Sequence, residues 1–256
     1  MTDFDRALIG FAALDEGELS RPWTFRGGAM SVRFALYRTL EDVHEALVPV
    51  AARPHPESRR ILALAQRAFG DLRGLLLGLP TALLDAPPRE GEWPIRETMR
   101  HMLLVERRYA VQTRYAIERR DEEPMRIADD RLPTAAQLDT SGEVGALLER
   151  LGEARAETNR WLGDVAATAM TRPTQWMHYA IDVRFRLHRF AAHIVEHTIQ
   201  CEKTLEALGR RQTEGRRIAR ALTAALGELE GHGAVVETRA VEGRLVERFA
   251  SAAGGA

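Results

Sequence analysis

Apolar side chains recur along this chain at three- and four-residue steps, the period of a helix buried on one face. Val32, Leu36, Leu40, Val43, Leu47 and Val50 predict a helix over 29–50, and Ile61, Leu64, Ala65, Ala68, Leu72, Leu75 and Leu76 one over 57–79. Ile95, Thr98, Met102, Val105, Tyr109, Gln112 and Ala116 predict a third over 94–120. Its start is marked by Pro94 and by Glu97 in the first turn. Leu147, Leu151, Ala154, Trp161, Leu162 and Val165 place a fourth over 142–169. Phe190, His193, Ile194, His197, Cys201, Leu205 and Leu208 place a fifth over 182–208. Shorter helices are expected over 3–14, 213–229 and 235–249. Pro54, Pro56, Pro80, Pro87, Pro88 and Gly209 punctuate them. The connection over 121–140 is long enough for a crossover rather than a hairpin. Residues 21–28 and 175–179 read as aromatic loops, and 251–256 as a fraying end. No strand-like alternation and no internal repeat of fixed period is evident.

The expected architecture is therefore all-α: four core helices over 57–208, with helical extensions over 1–56 and 209–256. Composition narrows the function classes. The 256 residues carry 36 basic and 37 acidic side chains, so no basic surplus points to nucleic acid and no acidic surplus to a solvated tail. Lys203 is the only lysine, and Cys201 the only cysteine, which excludes an intrachain disulfide and a zinc-finger framework. Met1-Thr2-Asp3-Phe4-Asp5 lacks the apolar core of a signal peptide. The run Leu75-Leu76-Leu77 is cut by Gly78 and Pro80, far short of a membrane span. The expected setting is cytoplasmic, without membrane or nucleic acid.

His193 and His197 change this picture. They lie one turn apart inside an apolar stripe, with Cβ atoms about 5–6 Å apart, a spacing that suits two imidazoles on one ion. A buried imidazole needs a partner. A metal is one solution and a hydrogen bond to a neighbouring helix is the other.

Glu92-Trp93-Pro94-Ile95-Arg96-Glu97, followed by His101 and Glu106, resembles the second helix of the DinB-like (DinB/YfiT) four-helix bundle superfamily. His193-x-x-x-His197-x-x-Gln200 resembles the final bundle helix of the same superfamily. The resemblance covers roughly 57–208. It implies an up-down-down-up bundle, with additional N- and C-terminal helices in this chain, and a divalent metal (zinc, nickel or iron) held by His101, His193 and His197. It also implies an enzyme that uses a low-molecular-weight thiol as cosubstrate, a transferase or isomerase acting on a small electrophile. The sulfoxide-synthase branch carries a carboxylate two residues after the second histidine of the pair. Here that position is Ile199, so that branch is set aside.

Three imidazoles leave a zinc-like ion one open position. Glu106 is the candidate acceptor for an imidazole N–H or general base, or a surface carboxylate. Tyr109 is a candidate donor to substrate, or core packing. Cys201 can reach the metal or fill the core, and Gln200 can orient an imidazole. His44, His55, His178, His188 and His232 are read as non-ligands. Trp23, Trp93 and Trp176 are pocket walls or core plugs. Two functions stay open: the metal-dependent enzyme, and a non-catalytic bundle that keeps metal for stability or binds a partner. A metallohydrolase is a third reading. A homodimer is expected from the long helix faces. The ion should be reached from the side of the 80–93 loop, under a roof formed by 23–28 and the helices after Gly209.

Overall fold

The computed structural model describes residues 1–253, and the end of the segment expected to fray lies outside them. The chain runs α1 (Asp3–Ala13), α2 (Glu16–Leu19), β1 (Pro22–Phe25), β2 (Gly28–Ser31), α3 (Arg33–Ala51), α4 (Glu57–Leu76), α5 (Thr81–Leu84) and α6 (Ile95–Glu118). It continues with α7 (Val144–Leu162), β3 (Pro173–Trp176), β4 (Tyr179–Asp182), α8 (Val183–Ala207), α9 (Glu214–Gly231) and α10 (Val235–Ala253). No helix is long and apolar enough to cross a membrane among the described residues. The all-α expectation holds, and the core helices fall where the apolar period puts them. The long connection between α6 and α7 contains only two short 3-10 turns. Arg96 pins it: the guanidinium donates to the carbonyls of Thr140 and Gly142 while pairing with Asp85.

Two β-hairpins correct the expectation that the chain has no strands. β1 pairs antiparallel with β2, Pro22 opposite Ser31 and Phe25 opposite Gly28. β3 pairs with β4, Pro173 opposite Asp182 and Trp176 opposite Tyr179. Arg26 and Gly27 turn the first hairpin with φ of 50° and 80°, the sign pattern of a type I′ turn. Met177, at φ 53°, turns the second. Strands of four residues are too short to display a period of two, so Pro-Trp-Thr-Phe and Pro-Thr-Gln-Trp read as aromatic loops. The first hairpin displaces a helix start: α3 begins at Arg33 because 28–31 is strand; α7 stops at Leu162, ahead of a 3-10 turn at Ala167–Ala169.

α4, α6, α7 and α8 form one four-helix bundle, with α4 against α7 and α8, and α6 against the same two. α1, α3, α9 and α10 form a second with the same pattern: α9 against α1 and α3, and α10 against the same two. α4 and α9 pack most extensively of all, at the seam between the bundles. The correspondence extends to sequence. Arg21-Pro22, then Val32-Arg33-Phe34-x-Leu36-x-Arg38, matches Arg172-Pro173, then Val183-Arg184-Phe185-x-Leu187-x-Arg189, at one constant offset. Glu57-x-Arg59-Arg60-Ile61, then Gly70-x-Leu72-x-Gly74, matches Glu214-x-Arg216-Arg217-Ile218, then Gly227-x-Leu229-x-Gly231. The two bundles correspond as an internal duplication, which the absence of a fixed-period repeat does not reveal. Because the offset differs between the two blocks, no fixed period betrays it.

The seam is two-fold symmetric. A Cβ at Gly74 would come 2.7 Å from Cα of Arg220, and a Cβ at Gly231 would come 2.5 Å from Cα of Ala63. Ala63 and Arg220 occupy equivalent places in the two blocks. The missing side chains let the two backbones approach closely. One apolar core draws on every long helix of both bundles, from Phe11 and Leu36 to Leu72, Leu147, Cys201, Leu222 and Leu245. Full burial of each such leucine contributes roughly 1.5–3 kcal/mol.

Candidate metal centre

α6 and α8 cross so that His101 faces His193 and His197. His193 and His197 are buried and His101 half-buried. Nε2 of His193 lies 3.2 Å from Nε2 of His101 and 3.1 Å from Nε2 of His197. Tetrahedral bonds of about 2.0–2.1 Å put neighbouring ligand nitrogens about 3.3 Å apart, the spacing of His193 from each of the other two. The hydrogen-bonded alternative is weaker. His197 Nδ1 faces Oε1 of Gln200 at 2.8 Å, and its donation there leaves Nε2 with a lone pair. His193 Nε2 carries at most one proton, yet it faces two imidazole nitrogens. An ion satisfies all three. Among the described residues no fourth histidine, cysteine or carboxylate joins the group.

Electrostatics agree with this reading. Burial, then the neighbouring His197, His101 and Arg189, pushes the His193 imidazole down to about 3. Burial and His197 also lower His101. Both rings are therefore neutral near pH 7, the form that donates a lone pair to metal.

Tyr109 lies beside the histidines, its ring 5.7 Å from that of His193 and edge-on to Phe190. Trp93, half exposed, packs 5.5 Å from His101. Glu106 departs from its expected role as acceptor for an imidazole N–H or general base. It is buried in the α6–α7 seam, where Oε1 accepts from Arg155 Nη1 at 2.7 Å and from Thr158 Oγ1 at 2.6 Å. Five residues beyond His101 on a helix is well round the cylinder from it, and the fully buried Arg155 needs that carboxylate. Cys201 is fully buried core, and burial pushes its thiol up to about 12. His55 and His232 pack on one another, rings 4.7 Å apart, outside the triad.

A cleft of about 570 Å³ opens beside the triad. Its far wall is the β3–β4 hairpin, through Gln175, Trp176 and Met177, and it also takes in Arg108, Arg126, Arg186, Arg189, Gln112 and Glu196. This corrects the expected roof. Trp23 is buried in the second bundle with its indole N–H donating to Ser251, and the helices after Gly209 build that bundle. Arg186 and Arg189 were not singled out from the sequence. The available signal was their place seven and four residues before His193, on the face of α8 that carries the ligands.

The second bundle shows what the same scaffold does without the triad. The offset that superposes Pro22 on Pro173 puts Asp42 in place of His193, Ala46 in place of His197 and Ala35 in place of Arg186. Asp42 pairs with Arg244 at 3.0 Å and Arg248 at 2.7 Å, both from α10.

The sequence model of one family, the DinB superfamily, matches residues 64–201, more than half of the chain and the whole of the histidine-bearing crossing. The chain belongs to the DinB superfamily. Among solved structures this DinB-superfamily chain is similar to YfiT from Bacillus subtilis, described as a probable metal-dependent hydrolase with an unusual four-helix bundle topology. The two share 14% identity at a TM-score of 0.49, over 62% of this chain and 94% of that one. A search of curated proteins finds no match.

Proposed function

We propose that this DinB-superfamily protein is a metal-dependent enzyme acting on a small molecule, with a divalent ion held by His101, His193 and His197. The observation that carries the reading is the convergence of three imidazole nitrogens, with Nε2 of His193 3.2 Å from that of His101 and 3.1 Å from that of His197, beside an open cleft. A structural site would be closed by a fourth protein ligand, and none stands within reach among the described residues.

The reaction we propose is thiol-dependent transfer or isomerisation of a small electrophile. An ion bound there supplies a Lewis acid that favours the thiolate form of a low-molecular-weight thiol. The thiol must come from outside, because the only cysteine of the chain is sealed in the core and protonated. Gln200 holds His197 so that Nε2 faces the centre. Tyr109 offers the cleft a phenol, the candidate proton donor to substrate. The β3–β4 hairpin, with Trp176 and Met177, screens that side of the cleft from water.

Elemental analysis of the purified protein tests the metal reading. About one divalent ion per chain is expected in the wild type, and almost none in a His193→Ala/His197→Ala variant that remains helical. A wild type that cannot be loaded with zinc, nickel or iron would overturn it. Titrating cobalt-substituted protein with a small thiol tests the finer claim: a sulfur-to-cobalt absorption band is expected. Its absence, with cobalt bound, removes the thiol and leaves the metal.

A further inference from the structure

Most arginines in this protein are answered by a carboxylate, through ion pairs spread over every long helix. Three arginines of the cleft beside the triad are among those that are not. Arg108, Arg186 and Arg189 line it, and none forms an ion pair among the described residues. Arg126 at the rim has Asp129. The one acidic residue in the wall, Glu196, is exposed.

Arg186 is the telling case, because it is 96% buried: only 4% of its surface is exposed. A buried charge is costly unless an opposite charge and hydrogen bonds compensate it. Arg186 has hydrogen bonds but no counter-charge. Nε donates to Oγ1 of Thr174, Nη1 to Oε1 of Gln112, and Nη2 to the carbonyl of Gln175. Those three bonds fix the guanidinium plane and leave two of its five N–H groups unused. Arg189 lies beside it, its guanidinium 4.6 Å over the ring of Trp176 and its buried Nε without a partner.

The duplication supplies an internal control. The second bundle keeps the hairpin, the Val-Arg-Phe helix start and the counterpart of Arg189, which is Arg38. It has lost both histidines of the pair and has Ala35 where the first bundle has Arg186. A cation needed only to brace hairpin on helix would be needed in both. Arg186 is present only where the three-histidine centre is present.

From these observations we infer that the cleft binds an organic acid: a small molecule whose carboxylate takes the place of the missing counter-ion on Arg186 and Arg189, and whose body lies along Trp176 and Met177 with its reactive part toward the histidine triad. A planar guanidinium whose free N–H groups lie on its two terminal nitrogens matches the two oxygens of a carboxylate. The aromatic and thioether side chains give the body of the acid an apolar wall. The inference deepens the proposed function and rests on that reading for the direction in which the substrate faces. The anion seat itself depends only on the arginines.

The test is calorimetric binding of glutarate and benzoate, of their neutral counterparts glutaramide and benzamide, and of inorganic phosphate. The wild type is compared with Arg186→Gln, Arg189→Gln and, as a charge control, the exposed Arg217→Gln. At least one acid is expected to bind the wild type with a Kd below about 10 mM, the weak end of specific affinity. Its amide should bind about tenfold more weakly or not at all, and Arg189→Gln should cost about tenfold. Arg217→Gln should change little. Arg189 makes no hydrogen bond to the hairpin, so its variant keeps the test alive if Arg186→Gln does not fold. Amides that bind as well as acids, arginine variants with wild-type affinity, or no acid binding at all would overturn the inference. Phosphate as the tightest probe would overturn the carboxylate assignment. Repeating the titration on metal-free His193→Ala separates the two claims: retained acid binding there supports the arginine seat even if the metal reading has failed.

Discussion

Where α6 meets α8 the first bundle presents three imidazoles, and where α10 meets α3 the second presents a carboxylate facing two guanidiniums. Both centres rest on the same scaffold: a proline-initiated hairpin, a Val-Arg-Phe helix start and a glycine-notched helix at the shared seam. The difference shows what the scaffold requires at that crossing. A polar group buried there must be satisfied by something. Three imidazole nitrogens facing one another call for a cation from solution. Asp42 finds its counter-charge within the chain, in Arg244 and Arg248.

The comparison can be broken most severely at the seam both bundles share. Gly231→Leu should force α9 off α4 at Ala63 and destabilise the fold by about 3 kcal/mol or more, since overpacking against backbone has no rotamer to relax into. A melting temperature close to wild type would mean that the two backbones are not in contact. Next in size is the closed centre. Asp42→Ala leaves two guanidiniums facing one another and should cost about 2 kcal/mol, less than a fully buried pair because Arg244 is partly exposed. Chemical denaturation gives the value, and metal content should stay at the wild-type level. A change in metal content would show that the centres are not independent.

Acid should separate the bundles more gently. His193 titrates near 3 in the folded protein against 6.5 in an unfolded chain. Above pH 6.5 neither state holds the extra proton and stability is complete. As pH falls from 6.5 toward 3 only the unfolded chain takes it up, so stability of the metal-free protein drops by about 1.4 kcal/mol per pH unit for that group. His101 acts in the same direction. Hydrogen exchange should therefore loosen α6 and α8 before α3 and α10 on acidification; equal loosening would contradict the asymmetry. The smallest effect concerns size. On α4, the face a single bundle could offer to a second copy is covered by α9. We therefore propose that the expected homodimer uses another helix face; a one-chain mass of 28.7 kDa at micromolar concentration would refute this.

The helices were legible because their apolar residues repeat many times per element, and α4, α6 and α8 emerge within a few residues of their predicted ends. The triad was legible through His193 and His197 at one-turn spacing, and His101 only through family resemblance, since one half-buried histidine on a helix carries no spacing signal of its own. Glu106 was misread because its distance from His101 along the chain hides which way it points, and Arg155, its partner, lies on another helix. The hairpins were invisible at four residues per strand. The duplication was hidden by its order: the second bundle takes α1 and α3 from one end of the chain and α9 and α10 from the other.

That order has a consequence for synthesis. The helices of the histidine bundle are consecutive, so it can close while the ribosome is still at work. α1 and α3 emerge early, with Phe11, Leu36 and Val43 ready for burial, but their partners come last. At roughly 5–20 residues per second, the stretch between them occupies the ribosome for about 10–30 s. Through that interval the nascent chain trails two apolar helices with nothing to cover them.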